Sequence, residues 1–266
     1  MILFIDEVAL WVLGKLEEKD NIPIVIDYAV GLRYCYVVVE GSSGRSMGVA
    51  ITPIEDILGV RLELPSIPKI KALLNLVSSL NTLEKALGIA LLNALSSYLL
   101  WVIGYRDGID IYEGNIFNTM INIVKEPVVV IGNMQPLVKK LRDSGINDIV
   151  ITERNPCIRC GLALSDAVTP RIISKAKTLI VTGATLVNDT IDYIISLTKS
   201  KSKIILVGPT ASIHPKAALN LGIHAIASLT PIDIDSTIKT IKLGGGRWDY
   251  TKYCREYIAV MKGATP

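Results

Sequence analysis

VVVIGN (128–133), LIVTGAT (179–185) and IILVGPT (204–210) decide the fold of this chain. Each is an apolar run that passes straight into a loop of small polar residues. A fourth run, DIVITERN (148–155), delivers Glu153 and Arg154 at the equivalent point. Branched apolar residues without polar alternation suit strands buried on both faces, and helical segments between them make parallel β-α-β units. The pattern predicts strands at 127–132, 147–152, 177–182, 203–208 and 223–227. Helices are expected near 135–144, 166–175, 187–198, 214–221 and 231–242, and a last one in the tail carrying Tyr253, Tyr257 and Val260. In an open parallel sheet, ligands gather at the carboxyl ends of the strands.

Upstream, the reading is α+β. An amphipathic helix is expected at 4–19, then strands at 24–30, 34–40 and 46–51 with GSSGR as the hairpin turn. Helices follow at about 68–80 and 82–104, the second opened by Asn81 and Glu84 in capping-box spacing. The polar, glycine-containing stretch RDGIDIYEGNIFN (106–118) reads as the passage between two domains.

Composition narrows the function. Of 266 residues, half are hydrophobic and a fifth charged, with a net charge of +3 and no basic stripe, which argues against nucleic acid as a partner. Residues 86–105 carry no charge and are long enough to span a bilayer. The absence of other spans and the polar Asn93, Ser96 and Ser97 favour a buried helix of a soluble, cytoplasmic protein with no membrane partner. Asp6 and Glu7 interrupt the first apolar stretch, which therefore does not read as a signal peptide.

The candidate site follows from the strand ends. Gly132 and Asn133 open the first loop, which has one glycine where a dinucleotide fingerprint has three. Glu153 stands about twenty residues on, where doubly wound folds place the acid that grips a ribose. A solvated charge or an ion pair with Arg154 is the plainer alternative. Thr182, Gly183, Thr185 and Asn188, then Gly208, Pro209, Thr210 and Ser212, repeat the theme. Their hydroxyls and N–H groups suit a phosphate or carboxylate, and helix capping explains them equally well. His214 lies on the same side, whereas His224 falls in a buried-looking strand. Cys157 and Cys160 form the single CxxC. Two thiolates can hold a soft metal, cycle as a dithiol, or do neither. A structural zinc site would need further ligands, from His214, Cys254 or a second subunit. No G-x-S-x-G, P-loop or HExxH is present, and no nucleophile–base pair can be assigned.

Seven segments together resemble one family: SMGVAITP (46–53), NTLEKALGIALLNAL (81–95), VVVIGNMQPLVKKLR (128–142), ERNP (153–156), LIVTGATLVNDTIDYII (179–195), GPTASIHPKAALNLGI (208–223) and LGGG (243–246). This pattern is similar to the heavy-metal chelation domain family. The resemblance implies an enolase-N-terminal-like α+β domain at 1–118 followed by a Rossmann-like α/β domain with a C-terminal tail at 119–266. It also implies a site in the cleft between them. Carried over, the candidates are Gly132, Asn133, Glu153, Asn155, Thr182, Gly183, Asn188, Gly208, Pro209, Gly244, Gly245 and Gly246. After ERNP the chain departs from the family pattern, with CIRC where a glycine-and-acid turn is expected. The expected ligand is small and anionic or metal-containing, with a transition or heavy metal ion as the implied cofactor. A nucleotide- or S-adenosylmethionine-using transferase is the alternative from the enzyme class. A non-catalytic, homo-oligomeric assembly protein is the third reading.

Overall fold

The computed structural model describes residues 2–58, 63–114, 116–199 and 201–264. Two sheets organise them. The smaller is an antiparallel meander of β1 (Ile24–Val30), β2 (Tyr34–Gly41) and β3 (Gly44–Ile51). The larger contains β4 (Ile109–Glu113), β5 (Val128–Ile131), β6 (Ile149–Glu153), β7 (Ala163–Ser165), β8 (Thr178–Thr182), β9 (Lys203–Val207), β10 (Ala225–Pro231) and β11 (Cys254–Met261). Its order is β4-β11-β10-β9-β8-β5-β6-β7, parallel from β10 to β7 and antiparallel where β11 meets β10 and β4.

The chain runs from β5 outward to β6 and β7, then returns to the other side of β5 to build β8, β9 and β10. The order therefore reverses between β5 and β8, which is where open α/β sheets open a crevice. Alternate side chains of each central strand serve opposite layers. Val129, Leu179 and Leu206 pack with the long helix Thr82–Ser97, while Val128, Ile180 and Ile205 pack with the helices Ile116–Ile123 and Gln135–Asp143. Full burial of such a side chain contributes roughly 1.5–3 kcal/mol, so the core holds the strand ends in register beneath the loops.

The helix Thr82–Ser97, extended by a π-turn over Tyr98–Val102, is the element with the length and apolarity of a membrane span. In the fold, 89% of that window is buried, so it is a core helix. Asn81 caps it, its Oδ1 accepting the N–H groups of Leu83 and Glu84 at 3.0 and 3.1 Å. The reciprocal half of the capping box does not form. The Glu84 carboxylate instead accepts from the Ser66 N–H and the Ser79 hydroxyl, and these bonds hold its pKa below the usual carboxylate value.

The small sheet packs one face on this helix and the other on Leu229 of β10 and the helices Ile234–Lys242 and Arg247–Tyr250. Val37, Val39 and Ala50 face the helix, while Tyr36, Val38, Met47 and Val49 pack with Leu229, Ile241 and Tyr250. At Gly48 the helix comes so close that a Cβ would lie 2.1 Å from the Ala94 nitrogen. Asn93 completes the clamp, donating to the carbonyls of Val49 (2.8 Å) and Thr210 (3.0 Å).

Four local expectations change. The stretch 106–118 holds β4, an edge strand of the large sheet paired to β11. The tail forms a short helix at Arg247–Tyr250 and then the strand β11. Tyr257 and Ala259 face one layer and Ile258 and Val260 the other, so burial on both faces erased the alternation that marks a strand. The expected helix at 68–80 is reduced to a 3₁₀ turn (Ile70–Ala72) and the helix Leu73–Val77. The region read as one helix at 166–175 is a 3₁₀ turn (Asp166–Val168) and the short helix Thr169–Ile173, with edge strand β7 just before them.

Candidate functional site

A cleft of about 830 Å³ lies over the carboxyl ends of β5, β6, β8 and β9. Its floor is the point of reversal. Gly132 follows β5 and Thr182 ends β8, side by side in register. Gly132 has φ +101°, and a Cβ there would meet the Thr182 Cγ2 at 2.8 Å. A side chain at 132 would be strained by the backbone and crowded by the neighbouring strand, so glycine is what keeps the floor open.

Of the expected residues, Gly132, Asn133, Glu153, Thr182, Thr185, Asn188, Gly208 and Pro209 line this cleft. Tyr34, Ile51 and Glu55 line it from the small-sheet side. Arg154 spans the two sides through an ion pair with Asp56, which belongs to the helix Ile54–Ile57. At another part of the lining, Arg247 stacks over Trp248 at 5.0 Å and reaches Glu256 at 3.4 Å. Phe117, Met120 and Tyr193 add apolar wall.

The strand-end loops satisfy their own backbone. Glu153 accepts the Asn133 N–H through Oε2 and the Asn155 N–H through Oε1, both at 2.8 Å. The N–H groups of Gly183 and Gly208 donate to Val207 and Ala227 carbonyls at 2.9 and 3.0 Å. Asn188 Oδ1 caps Thr190, and the Thr185 hydroxyl donates to the Thr182 carbonyl. The expected cradle of open N–H groups is therefore largely closed. What faces the cleft is hydroxyl, carboxamide and apolar surface, with the cations Lys140, Arg154 and Arg247 and the carboxylates of Glu55, Glu153, Asp166 and Glu256.

The remaining expected residues lie outside the lining. Thr210 is buried and accepts the Ile51 N–H at 2.9 Å, tying the two sheets together. Ser212 is buried against the Tyr257 hydroxyl. Gly183 packs against the Ala211 backbone. Gly244 and Gly245 close the helix Ile234–Lys242 by hydrogen bonds to the Ile241 and Thr240 carbonyls, and the Gly246 N–H is held by Asp249. These three glycines lead directly into Arg247 and Trp248, the lining residues that the sequence pattern did not single out.

His214 is fully buried against Trp11, with ring centroids 4.8 Å apart. Its Nδ1 accepts the Lys216 N–H, and Nε2 faces the Tyr105 carbonyl at 3.2 Å. That geometry requires the neutral Nε2–H tautomer, and burial pushes its pKa down to about 3. Both nitrogens are engaged, so neither is open to a metal. His224 is exposed and stands just before β10 rather than in a buried strand, and its Nδ1 accepts the Ile204 N–H, a structural bond.

Cys157 and Cys160 are free, exposed thiols. The Asn133 Nδ2 donates to Cys160 Sγ at 3.2 Å and to the Ile158 carbonyl at 2.6 Å, so CIRC is fastened to the β5 loop. Arg159 braces it from the other side, donating to the carbonyls of Glu153 and Arg154 at 3.0 Å each. Among the described residues, no three His, Cys, Asp or Glu side chains converge to hold a metal ion. A tetrahedral or octahedral centre does not fit, whereas two thiols suit a soft ion of low coordination number.

Two sheets joined by a buried helix, with a cleft at a strand-order reversal, define a two-domain α/β protein with a ligand-sized site. The chain belongs to the family described as "Putative heavy-metal chelation": one model of that description, DUF4213, matches residues 15–96, and a second, DUF364, matches residues 115–260. An uncharacterized protein of Methanocaldococcus jannaschii is 30% identical over 258 residues, covering 96% of this chain and 97% of the relative. Two crystal structures of DUF364-family proteins share the fold. The Pyrococcus horikoshii protein has a TM-score of 0.80 at 24% identity, covering 96% of this chain and 99% of its own. The Desulfitobacterium hafniense protein has a TM-score of 0.67 at 18% identity, covering 94% and 100%.

Proposed function

We propose that this protein binds a small molecule with an apolar body and anionic groups in the cleft between its two sheets. A heavy metal enters as the complex of such a molecule rather than as a bare ion. The observation that carries the reading is the cleft itself, about 830 Å³ over the β5/β8 reversal and walled by residues of both halves. That volume lies within the range of small-molecule sites. Lys140 supplies a cation for an anionic group, Arg154 and Arg247 add to it by exchanging their ion pairs with Asp56 and Glu256, and Phe117, Met120, Tyr193 and Trp248 supply apolar surface. The lack of a three-donor cluster among the described residues is the reason for placing the metal in a complex. Glu153 gives the transferase reading less support, because both its oxygens already serve the loop backbone.

The test is a thermal-shift screen of anionic metabolites and of their copper, nickel and cobalt complexes. At least one compound raises the melting temperature, as ligand at a hundredfold excess over Kd stabilises by about 2.7 kcal/mol. Arg154→Met and Arg247→Met, with unchanged circular dichroism, lose most of that shift. The reading is overturned if nothing in the screen stabilises the folded protein, or if both variants respond like wild type.

A further inference from the structure

We propose that Cys157 and Cys160 form a two-coordinate site for a soft monovalent ion, Cu(I) being the probe of choice, at the rim of the cleft. Three observations carry this assignment. Both thiols are exposed and unpaired, and their CxxC spacing sets them on either side of Ile158, whose side chain lines the cleft. The Asn133 carboxamide donates to Cys160 Sγ at 3.2 Å, which fixes the position of that sulfur on the β5 loop. The loop is held from both flanks, with Arg159 on two carbonyls and the Cys157 N–H on Asn155 Oδ1 at 2.9 Å.

The donor count selects the ion. Zinc seeks four ligands, and no third donor of the His, Cys, Asp or Glu type joins the pair among the described residues. Cu(I) accepts two thiolates and prefers soft sulfur. On binding, two S–H bonds break, two protons leave to water, and two copper–sulfur bonds form. Copper stays Cu(I) and no electron moves. The product carries one net negative charge. The site stands independently of the cleft ligand, so a negative metabolite screen leaves it intact, and its own failure leaves the cleft reading intact.

The experiment is anaerobic titration of the reduced full chain against the Cu(I)–bicinchoninate complex. One copper per chain is expected, with a thiolate-to-copper charge-transfer band in the ultraviolet that zinc does not suppress. Cys157→Ser and Cys160→Ser each abolish uptake with unchanged circular dichroism, while Cys35→Ala and Cys254→Ala keep it. Asn133→Ala weakens binding roughly tenfold, the usual effect of removing an outer-shell partner. Equal uptake by the Cys157→Ser/Cys160→Ser double variant overturns the proposal. So does a reduced wild type that cannot compete with bicinchoninate while oxidised glutathione converts the pair to a disulfide, since that outcome makes CIRC a redox pair.

Discussion

Lys85 and Asp189 form an ion pair that fastens the long buried helix to the loop after β8. The Lys85 side chain is only 5% exposed, whereas Asp189 keeps 34% of its surface in water. Asp189 also sits between Asn188 and Thr190, both on the cleft wall, and holds a left-handed φ of +56°. The pair thus links the core to the shape of the site.

Its two halves are unequal, and that gives the first prediction. Asp189→Asn keeps the size and tolerates the left-handed backbone, but strands the buried Lys85 ammonium. A loss of about 3 kcal/mol is expected, the scale for breaking a buried pair from one side. Lys85→Met leaves a partly solvated carboxylate and costs clearly less. Urea denaturation of both variants measures the difference, and equal losses would contradict the assignment.

Gly48→Ala tests the contact between the small sheet and the helix. The added methyl would meet backbone at Ala94 and Ala90 rather than a flexible side chain. Overpacking of this kind costs on the order of 3 kcal/mol. The melting temperature reports it, and a neutral result would mean that the helix stands further from β3.

Glu153→Gln separates a loop tie from a ligand grip. The amide retains one acceptor, so the N–H of Asn133 or of Asn155 loses its carboxylate partner. Bonds to a charged group contribute about 1.5–3 kcal/mol, and a stability loss at the lower end of that scale is expected, with faster amide exchange at one of these two residues. Unchanged stability with abolished ligand binding would instead favour the ribose-gripping role.

His214 predicts an acid-sensitive fold. In the native state it is neutral with a pKa of about 3, held down by burial, while the unfolded chain protonates near the ordinary value of 6.5. The unfolded state therefore binds the proton first. The contribution is complete above about pH 6.5 and is lost as the pH falls toward 3, at up to ~1.4 kcal/mol per unit. Urea midpoints for wild type and His214→Gln should converge between pH 7 and pH 4.5. A constant gap would mean that His214 does not titrate between the two states.

Much of this architecture is legible along the chain, because buried parallel strands leave unbroken runs such as VVVI and LIVT. The cleft floor is legible for the same reason, since Gly132 and Thr182 follow those runs directly. Pairing partners are harder to read. Tyr253, Tyr257 and Val260 have helical spacing, and only the strands on either side reveal that 254–261 is a strand. Distant contacts hid the roles of His214 and Thr210, whose environments are built by Trp11, Tyr105, Ile51 and Asn93. Lys85 stands at the edge of the uncharged run 86–105, but nothing local points to Asp189, its partner 104 residues away.

The place of β11 between β10 and β4 also constrains the order of events on the ribosome. β4 is made early, yet the neighbour it pairs with is synthesised only after all the parallel strands. Until then its backbone groups depend on water or a chaperone for partners. The sheet can zip from β5 outward during translation, while the β4 edge must wait until β11 has been synthesised.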